Sequence, residues 1–410
     1  MGGAPGHTRN TAYLGSVEAF WGLGMNLLSM GTVLPVFLQE RGASNALIAF
    51  LPAMSALGAG LAQAFSGFIG GNRPRLKPMV MWLHVTASAP LLLAGFFLLW
   101  GRLPAVPVVL LCWALFYAFI GLLFPLWMDY MARILDPARR GRALGIVFLT
   151  QTLAGVLGVT LAAALLKGGT SDLRYAVLFF AGGAAIAGGS FFFLGTREEV
   201  QGDPGERPTV RRHLHDLVGL WRRLPWLPVY MASRWLVRGT YPLLLHFYAV
   251  YAVTRKGVGP AEAALYGTAA LACQALAGIL AGVMGDRLGH KTSVLIGQGI
   301  LLGACVLAVL PVPAWTFFLV AGLTGAFLAT EYTSQSAWLM DLATPAERLS
   351  VLALVGFLLT PASVLAPLAG GWLMDRVGFR PVVAGVAALV AAAMALAAFS
   401  LPAGRVGSEA

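Results

Sequence analysis

From Ala143 to Leu166 the chain runs 24 residues without one charged side chain, and comparable apolar stretches recur along its whole length. A helix needs only about 20 apolar residues to cross the hydrocarbon core of a bilayer. Of 410 residues, 11% are Asp, Glu, Lys or Arg and 58% are hydrophobic. Soluble domains carry roughly 25% charged and 45–50% apolar residues. So few charges cannot cover a water-soluble surface of this size. A soluble enzyme, a disordered chain and a nucleic-acid-binding domain are therefore poor first choices. Twelve spans would use about 240 residues, close to the hydrophobic content of the chain.

Gly, Pro and charged residues mark off twelve apolar segments. The first six lie near 13–38, 45–69, 79–100, 106–131, 143–166 and 173–195. The second six lie near 226–253, 262–284, 293–312, 314–341, 349–373 and 380–402. Backbone polar groups must be satisfied within the segment in lipid, so each is expected to be a helix. The expected fold is an all-α membrane protein of twelve transmembrane helices. It comprises a six-helix bundle over 13–195, a linker over 196–225 and a second bundle over 226–402. Within the linker, TVRRHLHDLVGLWRRL from Thr209 to Leu224 places Leu214, Leu217, Val218, Trp221 and Leu224 at helical spacing among arginines. That pattern suits an amphipathic helix lying on the membrane surface. A tether between halves explains it more simply than a regulatory element.

The net charge of +11 would suggest an acidic partner in a soluble protein, but in a membrane protein it reports orientation. With both termini cytoplasmic, 18 Lys and Arg fall on inner loops and tails and 8 on outer loops; Arg234 and Arg238 lie inside the seventh span. Positive residues collect on the cytoplasmic side, so a multi-pass protein of the cell or inner membrane with cytoplasmic ends is expected. Cys112, Cys273 and Cys305 each sit in an apolar run and lack metal-ligand spacing. The apolar run after Arg9 is too long for a signal-peptide core and reads as an uncleaved first span.

The two halves echo each other. Gly71-Asn72-Arg73-Pro74-Arg75-Leu76-Lys77 follows the second segment, and Gly285-Asp286-Arg287-Leu288-Gly289-His290-Lys291 follows the eighth, 214 residues later. Pro137-Ala138-Arg139-Arg140 and Pro345-Ala346-Glu347-Arg348 lie 208 residues apart, after the fourth and tenth segments. Parallel repeats of this kind place a solute site near the midplane between halves.

On these residues the chain resembles the major facilitator superfamily. Gly282 to Lys291 is similar to that family's G-x-x-x-D-R-x-G-R/H-K loop. The first-half copy keeps Arg73 and Lys77 but has Phe68, Asn72 and Arg75 where the pattern has Gly, Asp and Gly. Asp136 to Arg142 is similar to the family's loop between spans 4 and 5. The resemblance implies an inner-face gating latch in which Asp286, Arg287 and Lys291 take part. Arg73, Lys77 and Asp129, the last a candidate partner of Arg73, would form the weaker counterpart. A purely topological role for these charges is the alternative. The glycines Gly155 and Gly158 in span 5 resemble part of a family motif of exporters, without its proline, so export is the favoured sense; close packing at small residues is the other explanation.

An ionisable side chain at mid-bilayer costs about 2.5–3.5 kcal/mol on insertion scales, so it normally faces a cavity or a partner. Glu18, Asp129, Arg234, Arg238 and Glu331 lie in spans 1, 4, 7 and 10, which in the family line the central cavity. Glu18, Met25, Ser29 and Thr32 share one side of span 1. Arg234, Arg238, Tyr241 and Tyr248 form a stripe on span 7, and Thr324, Glu331, Ser334, Gln335 and Trp338 one on span 10. Glu331 with Arg234 and Arg238 is the expected core of a substrate and proton-coupling site that also takes in Glu18, Tyr241, His246 and Gln335. Burial favours a protonated carboxyl and a nearby arginine favours the ionised one. Changing access could therefore exchange arginine for a proton; a static ion pair that fixes helix register is the alternative. His84, on span 3, reads as a packing residue. Prolines 35, 52, 125, 242, 361 and 367 are expected to kink their spans.

Together these features point to a monomeric, proton-coupled secondary transporter for a small organic solute, with neither an enzyme's residue set nor a cofactor. A passive facilitator or uptake symporter, and a non-transporting sensor or scaffold, are the other classes. The sequence carries no signature of a particular substrate.

Overall fold

The computed structural model describes residues 7–70, 73–136, 140–199, 219, 221–343 and 348–403, and their regular structure is entirely helical. Most of the amphipathic linker segment, and the loops at 137–139 and 344–347, lie outside the described residues. The first half comprises α1 (His7–Leu27), α2 (Val33–Glu40), α3 (Asn45–Ile48), α4 (Phe50–Gly70), α5 (Lys77–Trp100), α6 (Ala105–Ile134), α7 (Arg140–Leu166) and α8 (Asp172–Ser190), which ends in a 3-10 turn at Phe191–Gly195. The second comprises α9 (Leu227–Leu245), α10 (Tyr248–Lys256), α11 (Pro260–Leu288), α12 (His290–Val309), α13 (Thr316–Leu342), α14 (Arg348–Val377) and α15 (Phe379–Ser400).

Eight described helices are long and apolar enough to cross a membrane: α5, α6, α7, α8, α11, α12, α14 and α15. Of the other spans, the first, seventh and tenth carry the buried charges. The first and seventh, whose Pro35 and Pro242 were expected to kink them, are broken outright into two helices each. The first break, at 28–32, precedes Pro35, and the Leu34 amide reaches back five residues to the Ser29 carbonyl (3.0 Å). A proline ring excludes the carbonyl four residues earlier, here that of Gly31. The second break follows His246, whose amide still donates to the Pro242 carbonyl at 3.0 Å. Pro361 and Pro367 stay inside α14, as does Pro90 inside α5.

The chain divides into two compact units. Unit 1 holds Met1–Ala43, Met54–Arg207 and Gly259–Thr268; unit 2 holds Ser44–Ala53, Pro208–Val258 and Ala269–Ala410. In unit 1, α1 packs on α7 and α8, and α5 packs on α6 and α8. In unit 2, α9 packs on α14 and α15, and α12 packs on α13 and α15. Each pairing in the first unit thus recurs six spans later in the second.

Glycines stand at close helix crossings. A Cβ on Gly22 would collide with the Gln151 carbonyl, and one on Gly158 would come 2.5 Å from that of Leu23. Glycine is therefore required where α1 crosses α7. In unit 2, Gly239 of α9 meets Ala366 of α14.

The repeat also shows in how helix ends are fastened. Lys77 Nζ donates to the carbonyls of Thr196 (2.9 Å) and Leu194 (3.5 Å), at the end of the sixth span. Lys291 Nζ donates to those of Ala398 (2.8 Å) and Leu401 (2.7 Å), at the end of the twelfth. Tyr130 bonds Thr196, and Trp338, 208 residues on, donates from its indole to the Pro402 carbonyl at 3.2 Å. Tyr130 and Trp338 each belong to the buried apolar core at that end of their own unit.

Candidate functional site

The buried charges of unit 2 form one cluster. The apolar residues Leu227, Met231, Val237 and Leu244 bury one side of α9. The same helical turn carries Arg234 inward, 2% exposed, against Glu331 of α13, 8% exposed. Arg234 Nη2 donates to Glu331 Oε1 in a buried ion pair. One turn away in either direction, the same face of α9 presents Tyr230 and Arg238, and one turn along α13 lies Gln335. Gln335 Nε2 donates to the Tyr230 hydroxyl. Arg238, half-buried, donates from Nη1 to the Tyr241 hydroxyl at 3.1 Å and lies over the Tyr241 ring. Arg238 is also within electrostatic reach of Glu331 and Tyr332. Tyr241 stacks obliquely on Phe327, and Tyr230 meets Trp338 edge-on. The backbones of α9 and α13 approach their other neighbours more closely than each other, so long side chains bridge the space between them.

Two atoms in this cluster are buried without a hydrogen-bond partner: Arg234 Nη1 and Gln335 Oε1. Buried polar atoms of this kind cost free energy unless something satisfies them. The expected combination of Arg234, Arg238, Tyr241, Glu331 and Gln335 is thus brought together, and Tyr230 is added to it. Sequence spacing held the clue to Tyr230, four residues before Arg234. A tyrosine carries no charge near neutral pH, so nothing singled it out among the aromatics.

The rest of the expected set is distributed differently. His246 is buried at the break between α9 and α10. Tyr248 lies beyond that break, so the four-residue stripe predicted on span 7 ends at Tyr241. On span 10, Ser334 leaves the stripe to bond Ser293 of α12 at 2.7 Å, and Trp338 is committed to Pro402. Glu18 is in unit 1, 3% exposed, and accepts from Gln151 Nε2 of α7 at 2.8 Å. His84 bonds the Val80 carbonyl and packs between Trp21 and Phe193, a core role.

Among the latch residues, Asp129 accepts from Arg133, one turn on, at 2.7 and 3.1 Å. Arg133 also donates to the Arg73 carbonyl at 3.1 Å, so Arg73 joins this group through its backbone. Lys77 and Lys291 each fasten helix ends within their own unit. Arg287 is exposed, and the Asp286 side chain lies outside the described residues. Sequence inspection missed Glu198, whose carboxylate accepts from the amides of Leu76 (2.7 Å) and Lys77 (2.9 Å) and so caps α5. The Leu76 cap position has no side-chain acceptor of its own, and carboxylates favour helix N-termini.

A multi-pass helical protein made of two equivalent units, with a charged cluster buried among its spans, has the construction of a membrane transporter. The chain belongs to the Major Facilitator Superfamily, whose family model matches residues 18–259 and again 229–410. Among solved structures, a single-residue mutant of the nucleoside transporter NupG superposes with a TM-score of 0.77 at 12% identity, over 95% of this chain and 99% of that one. A D-xylose–proton symporter gives 0.70 at 15% identity, over 96% and 97%. A bacterial homologue of the lysosomal transporter Spinster gives 0.68 at 16%, over 97% of each. At these identities the likeness establishes the fold alone. No curated protein matches the sequence.

Proposed function

We propose that this chain moves a small organic solute across the cell membrane by alternating access and couples that movement to protons at Glu331. The observation that carries the reading is the Arg234–Glu331 pair, buried inside a membrane-spanning unit. A carboxylate held by arginine in one state can take a proton in its place when the helices move and access changes. The surrounding Arg238, Tyr241 and Gln335 supply polar groups to bind solute. Glu18, bonded to a neutral amide, is a second carboxyl that could carry a proton in unit 1. Export remains the favoured sense, from the glycines of span 5, although Gly158 also has a packing role. The charges Arg73, Lys77, Asp129, Asp286, Arg287 and Lys291 are assigned to gating at the cytoplasmic face.

The test uses proteoliposomes and a solute identified by thermal-shift screening of the purified protein. Glu331→Gln leaves Arg234 uncompensated and is expected to lower the melting temperature; the protein that folds should lose proton-driven accumulation but keep solute counterflow. Unchanged accumulation under a pH gradient would overturn the assignment of coupling to Glu331.

A further inference from the structure

We infer that unit 2 is built to bind a monocarboxylate through Arg238 and the free Nη1 of Arg234. The inference rests on the transport reading above and adds the substrate class. Two guanidinium groups lie one turn apart on α9, both effectively always protonated, and the one described carboxylate that pairs with either is Glu331. With Glu331 ionised the cluster holds one positive charge more than it cancels. Arg238 donates to the Tyr241 hydroxyl, a hydrogen bond that supplies no carboxylate to balance the charge. An unbalanced charge at membrane depth is costly, and one bound monoanion removes the imbalance.

Hydrogen bonding points the same way. Arg234 is 2% exposed and its Nη2 is taken by Glu331, but its Nη1 has no partner. A guanidinium presents its donors in a planar fork that suits the two oxygens of a carboxylate. The ligand's carboxylate can therefore bond Arg234 Nη1 and Arg238 while the Arg234–Glu331 pair stays intact. Gln335 Oε1, on a residue 6% exposed and also unpartnered, is an acceptor, so a hydroxyl or amino group on the ligand would satisfy it. On the Arg238 side of the cluster, Arg238 is half-buried and neighbouring Tyr332 is 58% exposed. The surplus of one charge favours a carboxylate over a phosphate monoester, which carries nearly two negative charges near neutral pH.

Full-length protein in detergent would be titrated with acetate, lactate and benzoate, with the amide of each acid, and with methyl phosphate, following thermal stabilisation. At least one acid is expected to bind tenfold or more tightly than its amide and than methyl phosphate. Arg238→Gln should remove that preference at least tenfold, and Arg238→Lys should restore part of it. Equal binding of acid and amide, or an acid preference that survives Arg238→Gln, would overturn the inference, as would tighter binding of methyl phosphate. Should Arg238→Gln fail to fold, Arg238→Lys together with the acid–amide comparison on the unmodified protein decides the matter. These are binding measurements, so they stand apart from the coupling test. Acid binding with no flux in proteoliposomes would sink the transport reading and leave the ligand class in place.

Discussion

At the residue scale, the Arg234–Glu331 pair separates stability from function. Removing one member of a buried pair leaves an uncompensated charge and costs about 3–5 kcal/mol, whereas replacing both with apolar groups of similar size is often neutral or better. Arg234→Met alone should therefore unfold well below the unmodified protein in a thermal melt in detergent. The double variant Arg234→Met, Glu331→Leu should recover most of that loss. Neither should accumulate solute under a pH gradient. Full activity in the stable double variant would reduce the pair to a structural register pin. The ionisable members of this cluster stood out in the sequence because charges are so scarce in the spans. The match between Arg234 and Glu331 over Arg238 and Glu331 did not, since both arginines lie on the same face of one helix.

At the element scale, close crossings and fastened ends hold each unit together. Gly158→Leu would force a side chain into the Leu23 backbone, and overpacking costs typically about 1–3 kcal/mol; a lowered melting temperature with unaltered oligomeric state is the expected result. Lys77 and Lys291 make a different case. Each holds carbonyls at the end of the last helix of its own unit, and hydrogen bonds from a charged donor are worth about 1.5–3 kcal/mol. Lys77→Met and Lys291→Met should each lower stability, and because they act in separate units their effects should add. Loss of transport with no loss of stability would mark them as gating residues alone. The repeated loops marked both lysines in the sequence. Their acceptors were invisible there, because a backbone carbonyl has no sequence signature. Nor did hydropathy show the breaks at 28–32 and after His246, since the residues around them are apolar on both sides.

At the scale of the whole molecule, each unit is completed by a short segment from the other sequence half. Residues 44–53 belong to unit 2 and 259–268 to unit 1. In unit 2, the Asp375 carboxylate accepts from the amides of Asn45 (2.8 Å) and Ala46 (2.9 Å) and from the Asn45 side chain (2.8 Å). It thereby caps α3 from the end of α14. Gly371 admits the same segment, for a Cβ there would lie 2.5 Å from the Asn45 carbonyl. Co-expressed fragments 1–207 and 208–410 should therefore purify together without the intact linker. Asp375→Ala should weaken that recovery, measured as the fraction of untagged fragment retained on the tagged one. Retention unaffected by Asp375→Ala would show that this cap does not fasten the segment.

The sequence by itself determined the membrane, the number of spans, the duplication and the set of charges worth following. Apolar length and charge scarcity are properties of composition and order, and lipid leaves the backbone one way to satisfy itself in each span. Only the tertiary structure decided which charges meet, which lysines fasten which helix ends, and where spans 1 and 7 break. Those outcomes depend on side-chain reach between helices distant in sequence, as with Arg234 and Glu331 across 97 positions. They also depend on unsatisfied atoms, such as Arg234 Nη1, that exist only once neighbours have closed around them.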